Sequence, residues 1–187
     1  AYNTPKGSSI FRLEDHTDRL FKSAETVSMK IPFSQIQLND AHKQVIKLNN
    51  LTEAYIRPMC FYGSEGMGLR ADNLEVHCMV AAWEWPSYME PEAREKGIKV
   101  KLSSYTRQVR NPVSSAKVNG NYVHSIVALN EALAEGFDEA LMLDAEGNVA
   151  EGSGENIFIV KNNVLITPDL DASLDGITRR TILDLAK

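Results

Sequence analysis

Ser114-Ser115-Ala116-Lys117-Val118-Asn119-Gly120-Asn121-Tyr122, with Glu151-Gly152-Ser153-Gly154-Glu155-Asn156 further on, is the part of the chain from which the rest is read. Lys117 stands among small and polar residues, just ahead of an apolar helical pattern. It is the only Lys, Arg, Asp or Glu between Arg110 and Glu131. An amine isolated in this way can lose its water, and desolvation lowers its pKa toward nucleophilic use. An ordinary solvated loop lysine has the same surroundings, and spacing alone favours it. Glu151 and Glu155 flank a Gly-Ser-Gly turn. Two carboxylates on one loop suit general acid/base work, as in a glycosidase. One carboxylate beside a protonated pyridine nitrogen suits an electron-sink cofactor. A pair that only stabilises the turn fits equally well.

Working outward, Tyr122 either presents a phenol to a cofactor oxygen or starts the following helix as a core aromatic. Gly176-Ile177-Thr178 opens a helix, where free N–H groups and the helix dipole form an anion site, as at any helix start. Arg19 would complete a phosphate cup there; by itself it reads as a surface arginine on a helix. Tyr55 and Arg57 share one strand face and together can hold a carboxylate, with Arg57 giving a fork of donors. Trp85 and Tyr88 wall an apolar pocket or cap a domain edge. Gly63-Ser64-Glu65-Gly66-Met67-Gly68 is a glycine-rich turn without a nucleotide-binding signature. His16, His42, His77 and His124 have no metal-ligand spacing, so no metal site is assigned. Gly152-Ser153-Gly154 lacks the spacing of a nucleophile elbow.

The pattern predicts α/β architecture. Residues 1–12 read as a hairpin, and helices are predicted over 14–27 and, capped by Ser34 or Asn39, up to about 49. Strands follow over 54–62 and 74–85. Pro86 to Gly97 reads as a linker, broken by Pro86 and Pro91. The boundaries are then 1–85 for a small α/β domain, 86–97 for the linker and 98–187 for a larger domain. In the latter, Ile98–Leu102 alternates like a strand and 122–135 is helical, with Val123, Ile126, Val127, Leu129, Ala132 and Leu133 apolar. Hairpins are predicted around 144–148 and across Asn162-Asn163, before a last helix.

A length of 187 residues is enough for a sizeable core in one or two domains, and 43% hydrophobic with 24% charged residues is ordinary globular composition. A net charge of −5 without a basic stripe argues against a nucleic-acid partner. No apolar run is long enough to span a bilayer, and no signal peptide is visible. Cys60 and Cys78 read as core thiols of a reducing compartment, hence a cytoplasmic protein. Both ends read as cut: there is no initiator Met, and the chain stops inside a helical pattern.

Taken together and in this order, the pieces resemble the fold-type IV pyridoxal-phosphate aminotransferases, and most closely the bacterial branched-chain amino acid aminotransferases. The likeness is most specific in Ala116-Lys117 through Asn121-Tyr122, in Glu151-Gly152-Ser153-Gly154-Glu155-Asn156-Ile157-Phe158 and in Gly176-Ile177-Thr178-Arg179. The resemblance implies a two-domain fold whose larger part is a pseudo-barrel, truncated here at both ends. It implies that Lys117 is joined to pyridoxal 5′-phosphate, that Glu151 pairs with the pyridine nitrogen and that Tyr122 bonds the ring oxygen. It further implies that Arg19, Ile177 and Thr178 hold the phosphate while Leu174 packs on the ring. Tyr55, Arg57, Trp85 and Tyr88 look like substrate-pocket residues, and Met67 like one that reaches into a partner subunit. The implied activity is transamination of leucine, isoleucine and valine with 2-oxoglutarate, in at least a homodimer. A D-amino acid aminotransferase or an aminodeoxychorismate lyase on the same fold is the alternative, and an inactive metabolite-binding fragment the second. The stretch by itself is expected to have little activity.

Overall fold

The computed structural model describes residues 1–85, 91–107 and 112–187, in two compact units, Ala1–Tyr88 and Met89–Lys187.

In the first unit, Gly7 takes a φ of 101°, which a residue without Cβ reaches freely, and turns β1 (Tyr2–Thr4) back onto β2 (Gly7–Ser9). Helix α1 (Leu13–Thr26) follows, with Glu14 and Asp15 in its first turn, where carboxylates complement the dipole. Ser34 is the cap of α2 (Gln35–Leu48). Its hydroxyl accepts the Gln37 N–H at 3.2 Å, and Gln37 Oε1 accepts the Ser34 N–H at 2.8 Å. The two helices pack on each other, with Leu13 and Ala24 of α1 and Leu38 and Ile46 of α2 buried and Thr17 donating to Asn39 Oδ1 at 2.5 Å. His42 accepts no charge easily here, because burial pushes its pKa down. Strands β3 (Tyr55–Tyr62) and β4 (Val76–Trp83) form a long antiparallel ladder in which Tyr55 faces Trp83 and Cys60 faces Cys78. The two thiols lie 3.1 Å apart, half-buried and free, so they sit in a sheet rather than in a core.

In the second unit Pro91 does not break structure but opens it. It starts α3 (Pro91–Lys96), where a first-turn residue needs no N–H. Part of the expected linker is therefore helical. Strand β5 (Val100–Leu102) leads on to α4 (Pro112–Ser115) and a 3-10 turn over Asn119–Asn121. Helix α5 (Tyr122–Ala134) then crosses to β6 (Glu139–Leu143), which lies parallel to β5 and antiparallel to β7 (Val149–Gly152). A helical crossover is what a parallel pair requires. The core of the unit is Ala128 and Ala132 of α5 against Ala140 and Met142 of β6, with Phe137 beside them. The buried face of α5 is thus Ser125, Ala128 and Ala132, whereas Val123, Ile126, Val127 and Leu133 are exposed. The predicted helix is present, but its inward face is the small-residue one. Strands β8 (Ile159–Lys161) and β9 (Val164–Ile166) join through Asn162 and Asn163, both at positive φ, the turn chemistry that asparagine tolerates. Helix α6 (Ile177–Leu185) closes the described chain. Among the described residues, no helix is long and apolar enough to cross a membrane.

Candidate active site

Glu151 is not a loop residue. It lies in β7, paired with Met142 of β6, and directly opposed residues of an antiparallel pair share a face. That register sinks its carboxyl: the side chain is 8% exposed. Oε1 meets Arg107 Nη2 at 2.6 Å. Oε2 accepts the Leu174 N–H at 2.9 Å and, more loosely, an Asn156 side-chain N–H at 3.4 Å. Burial pushes the Glu151 carboxyl up from its ordinary range. The Arg107 charge, the Leu174 N–H and the Lys117 charge pull against that shift, in that order.

Lys117 comes to this carboxylate from the loop before α5, close enough for its charge to be felt there. Its Nζ donates to the Tyr122 hydroxyl at 2.5 Å and lies 5.0 Å from the centre of that ring. The residue as a whole is exposed, in place of the expected burial of its amine. Asn121 holds the loop, its Nδ2 donating to Val113 O at 2.6 Å and Ala116 O at 2.9 Å. Tyr122 is the half-buried first residue of α5.

Asn156 joins the glutamate to the start of α6, since its Nδ2 also donates to Leu174 O at 2.9 Å. A Cβ at Gly176 would collide with Asn156 Oδ1, so a larger residue there would have to displace the amide that links Glu151 to Leu174. Gly176 supplies no side-chain cap, which leaves the leading N–H groups of α6 for another acceptor, with Ile177 buried and Thr178 exposed. The Glu155 carboxyl lies against Glu139, and burial followed by that like charge raises its pKa, with the Glu151 charge adding to the rise.

Three of the other candidates meet in the first unit. The Tyr55 ring lies 4.9 Å from Trp85 and 5.1 Å from Trp83, and Arg57 sits over Tyr55 at 5.3 Å and Trp83 at 5.7 Å. Arg19 is half-buried on α1, and Met67 is fully exposed in the turn between β3 and β4. Tyr88 lies outside the described residues. Glu65, Glu75 and His77, spread along the sequence, present ligand atoms within 4.8 Å of one another, but all three are exposed. Sequence reading missed Arg107 and Trp83. Arg107 is one of several residues in a basic stretch, and nothing local marks it as the one that turns inward. Trp83 was readable from the period-2 rule, which puts it on the Trp85 face.

The amino-transferase class IV family model matches residues 5–187. The branched-chain-amino-acid aminotransferase of Pseudomonas aeruginosa is 58% identical over 187 residues, and that of Escherichia coli K12 is 41% identical over 189. Each match takes in 100% of this chain and 61% of the relative, so the chain spans about three fifths of the length of these proteins. Among solved structures, the Escherichia coli branched-chain amino acid aminotransferase superposes with a TM-score of 0.94 at 40% identity, over 99% of this chain and 62% of that one. The branched-chain amino acid aminotransferase from Thermobaculum terrenum, in its PLP-bound holo-form, gives 0.87 at 31%, over 99% and 61%. Amine, buried carboxylate and uncapped helix start thus stand in a chain that belongs to the class IV aminotransferases and has their fold-type IV architecture.

Proposed function

We propose that the whole protein is a branched-chain amino acid aminotransferase that works with pyridoxal 5′-phosphate, in the cytoplasm and as a homodimer or larger homo-oligomer. The residues present fit that group. A buried carboxylate suits a protonated ring nitrogen, a neighbouring amine suits a carbonyl, and an uncapped helix start beside a closely packed glycine suits a phosphate. When bound, the cofactor supplies a carbonyl that takes up the substrate amine and a ring that draws in electrons.

The chain's own residues supply the rest. Lys117 holds the cofactor and, once released, carries a proton from the substrate Cα. Glu151 presents a negative charge to the ring nitrogen, and Tyr122 aims its hydroxyl at the ring oxygen. The N–H groups at Ile177 and Thr178, the Thr178 hydroxyl and Arg19 bind phosphate, and Leu174 packs on the ring. Tyr55 and Trp85 form an apolar wall for leucine, isoleucine or valine, Tyr88 is assigned the same substrate role, Arg57 takes the side-chain carboxylate of glutamate or 2-oxoglutarate, and Met67 serves a partner subunit's pocket. We read residues 1–85 and 98–187 as the two domains, joined by 86–97.

The observation that carries this reading is the convergence of Lys117, Tyr122 and Glu151 within one unit. The relatives' printed names support the substrate class. The test is an absorbance spectrum of the full-length protein. L-leucine is expected to change the cofactor band, and 2-oxoglutarate to restore it. Lys117→Ala is expected to lose the covalent link and at least about 100-fold in turnover. A colourless protein, or a Lys117→Ala protein that borohydride still fixes to its cofactor, overturns the reading.

A further inference from the structure

The site described above leaves Arg107 without a task. Its side chain is 10% exposed, nearly as buried as the 8% of Glu151. Burying such a pair removes water from both ions, and their attraction commonly does no more than offset the loss. Stability is therefore a poor reason for its presence. The Nε of Arg107 is also buried without a hydrogen-bond partner among the described residues, a cost that a purely structural ion pair has no reason to carry.

What the guanidinium changes is its partner. A carboxyl buried alone takes its neutral form, which offers a proton where the proposed chemistry needs a charge. Among the described residues, the charged groups that face Glu151 are Arg107 from the segment beyond β5, Lys117 from the loop before α5, and Glu155 from the turn after β7, with Glu139 of β6 against Glu155. The two cations favour the ionised carboxyl and Glu155 opposes it. Lys117 gives up its charge whenever its amine is in use. A guanidinium keeps its charge at every working pH. Arg107 is also fixed in place, its N–H donating to Leu143 O at 2.7 Å, beside the strand that pairs with β7. With Arg107 on Oε1 and the Leu174 N–H on Oε2, the carboxyl is held at both ends.

We propose that Arg107 is the positioning residue of this site: its guanidinium keeps the Glu151 carboxyl charged and aimed, whatever the state of Lys117. The purpose of that arrangement rests on the aminotransferase reading, but its physical content lies in the protein alone.

The two can be separated by carbon-13 NMR of the full-length protein, labelled at glutamate Cδ and freed of cofactor, with Glu151→Gln used to assign the Glu151 signal. In Arg107→Met the Glu151 titration midpoint is expected to rise by at least about one pH unit, a tenfold change in its proton affinity. In Arg107→Lys, which restores a charge without the fork, it is expected to recover at least half of that rise. An unchanged midpoint in a folded Arg107→Met protein overturns the proposal. If the methionine variant does not fold, Arg107→Gln, neutral but still a donor, is expected to show the same rise, and its absence overturns the proposal equally. In the cofactor-loaded enzyme, Arg107→Met is expected to lower kcat more than it raises KM and to shift the pH profile. A protein that shows the NMR shift but binds no pyridoxal 5′-phosphate supports the action of Arg107 on Glu151 and sinks the aminotransferase reading instead.

Discussion

Two glutamates of the second unit each face a cation, yet they titrate in opposite directions. Glu131 on α5 accepts the Ser103 hydroxyl at 2.7 Å, the Ser104 hydroxyl at 2.6 Å and the Ser104 N–H at 3.0 Å, with Lys101 Nζ at 3.5 Å. Those donors, the two hydroxyls first, bring its carboxyl down to about 2. Glu151 has a closer cation, Arg107 at 2.6 Å, and still rises. The difference is the balance: at Glu151 desolvation outweighs the cation and the backbone donor, whereas at Glu131 two hydroxyl donors outweigh it. A nearby positive charge therefore does not by itself tell how a carboxyl behaves. Glu131 ties α5 to the segment after β5, and Glu151 stands where chemistry is proposed.

The comparison is broken most forcefully by removing one buried partner. Glu151→Ala leaves the Arg107 charge unpaired inside the protein and is expected to cost about 3–5 kcal/mol of stability in urea unfolding. Arg107→Met combined with Glu151→Met should recover most of that loss. A single variant as stable as the parent would remove the contrast.

A smaller effect lies in the pH dependence, where the two groups have opposite sign. Glu131 has a lowered native pKa, so its contribution is present above its unfolded value and lost as pH falls toward about 2. Glu151 has a raised one, so between its unfolded and native values stability falls as pH rises. Glu131→Gln is expected to flatten the acid limb of a stability–pH curve, and Glu151→Gln to remove the opposing slope above it. Equal slopes in both variants would contradict the assignment. The smallest change is expected from Lys101→Met. Hydrogen bonds, not this cation, lead in holding Glu131, so the loss in melting temperature should stay below that of Glu131→Gln, although Lys101 also pairs with Glu135.

Local chemistry was legible where it is self-sufficient. Ser34 with Gln37 makes a cap without outside help, and Asn162-Asn163 makes a turn of itself. The strand position of Glu151 was not legible, because Glu and Gly are poor strand formers and the pairing with β6 decides it. Nor was the inward face of α5: period marks a helix, but the sheet chose its smallest side. Lys117, Tyr122 and Glu151 were readable as candidates. Their mutual approach, and Arg107 altogether, depend on register and tertiary pairing that single residues do not announce.

The alanines between α5 and β6 act as a thin spacer. Since the stretch carrying Lys117 leads through a short 3-10 turn into that helix, its height above the strands depends on this seat, where three alanines meet Met142. Thickening that spacer would tilt the helix and carry the reactive tip away from the carboxylate without touching either one. Side chains with no polar atom thereby govern the alignment on which the proposed chemistry depends.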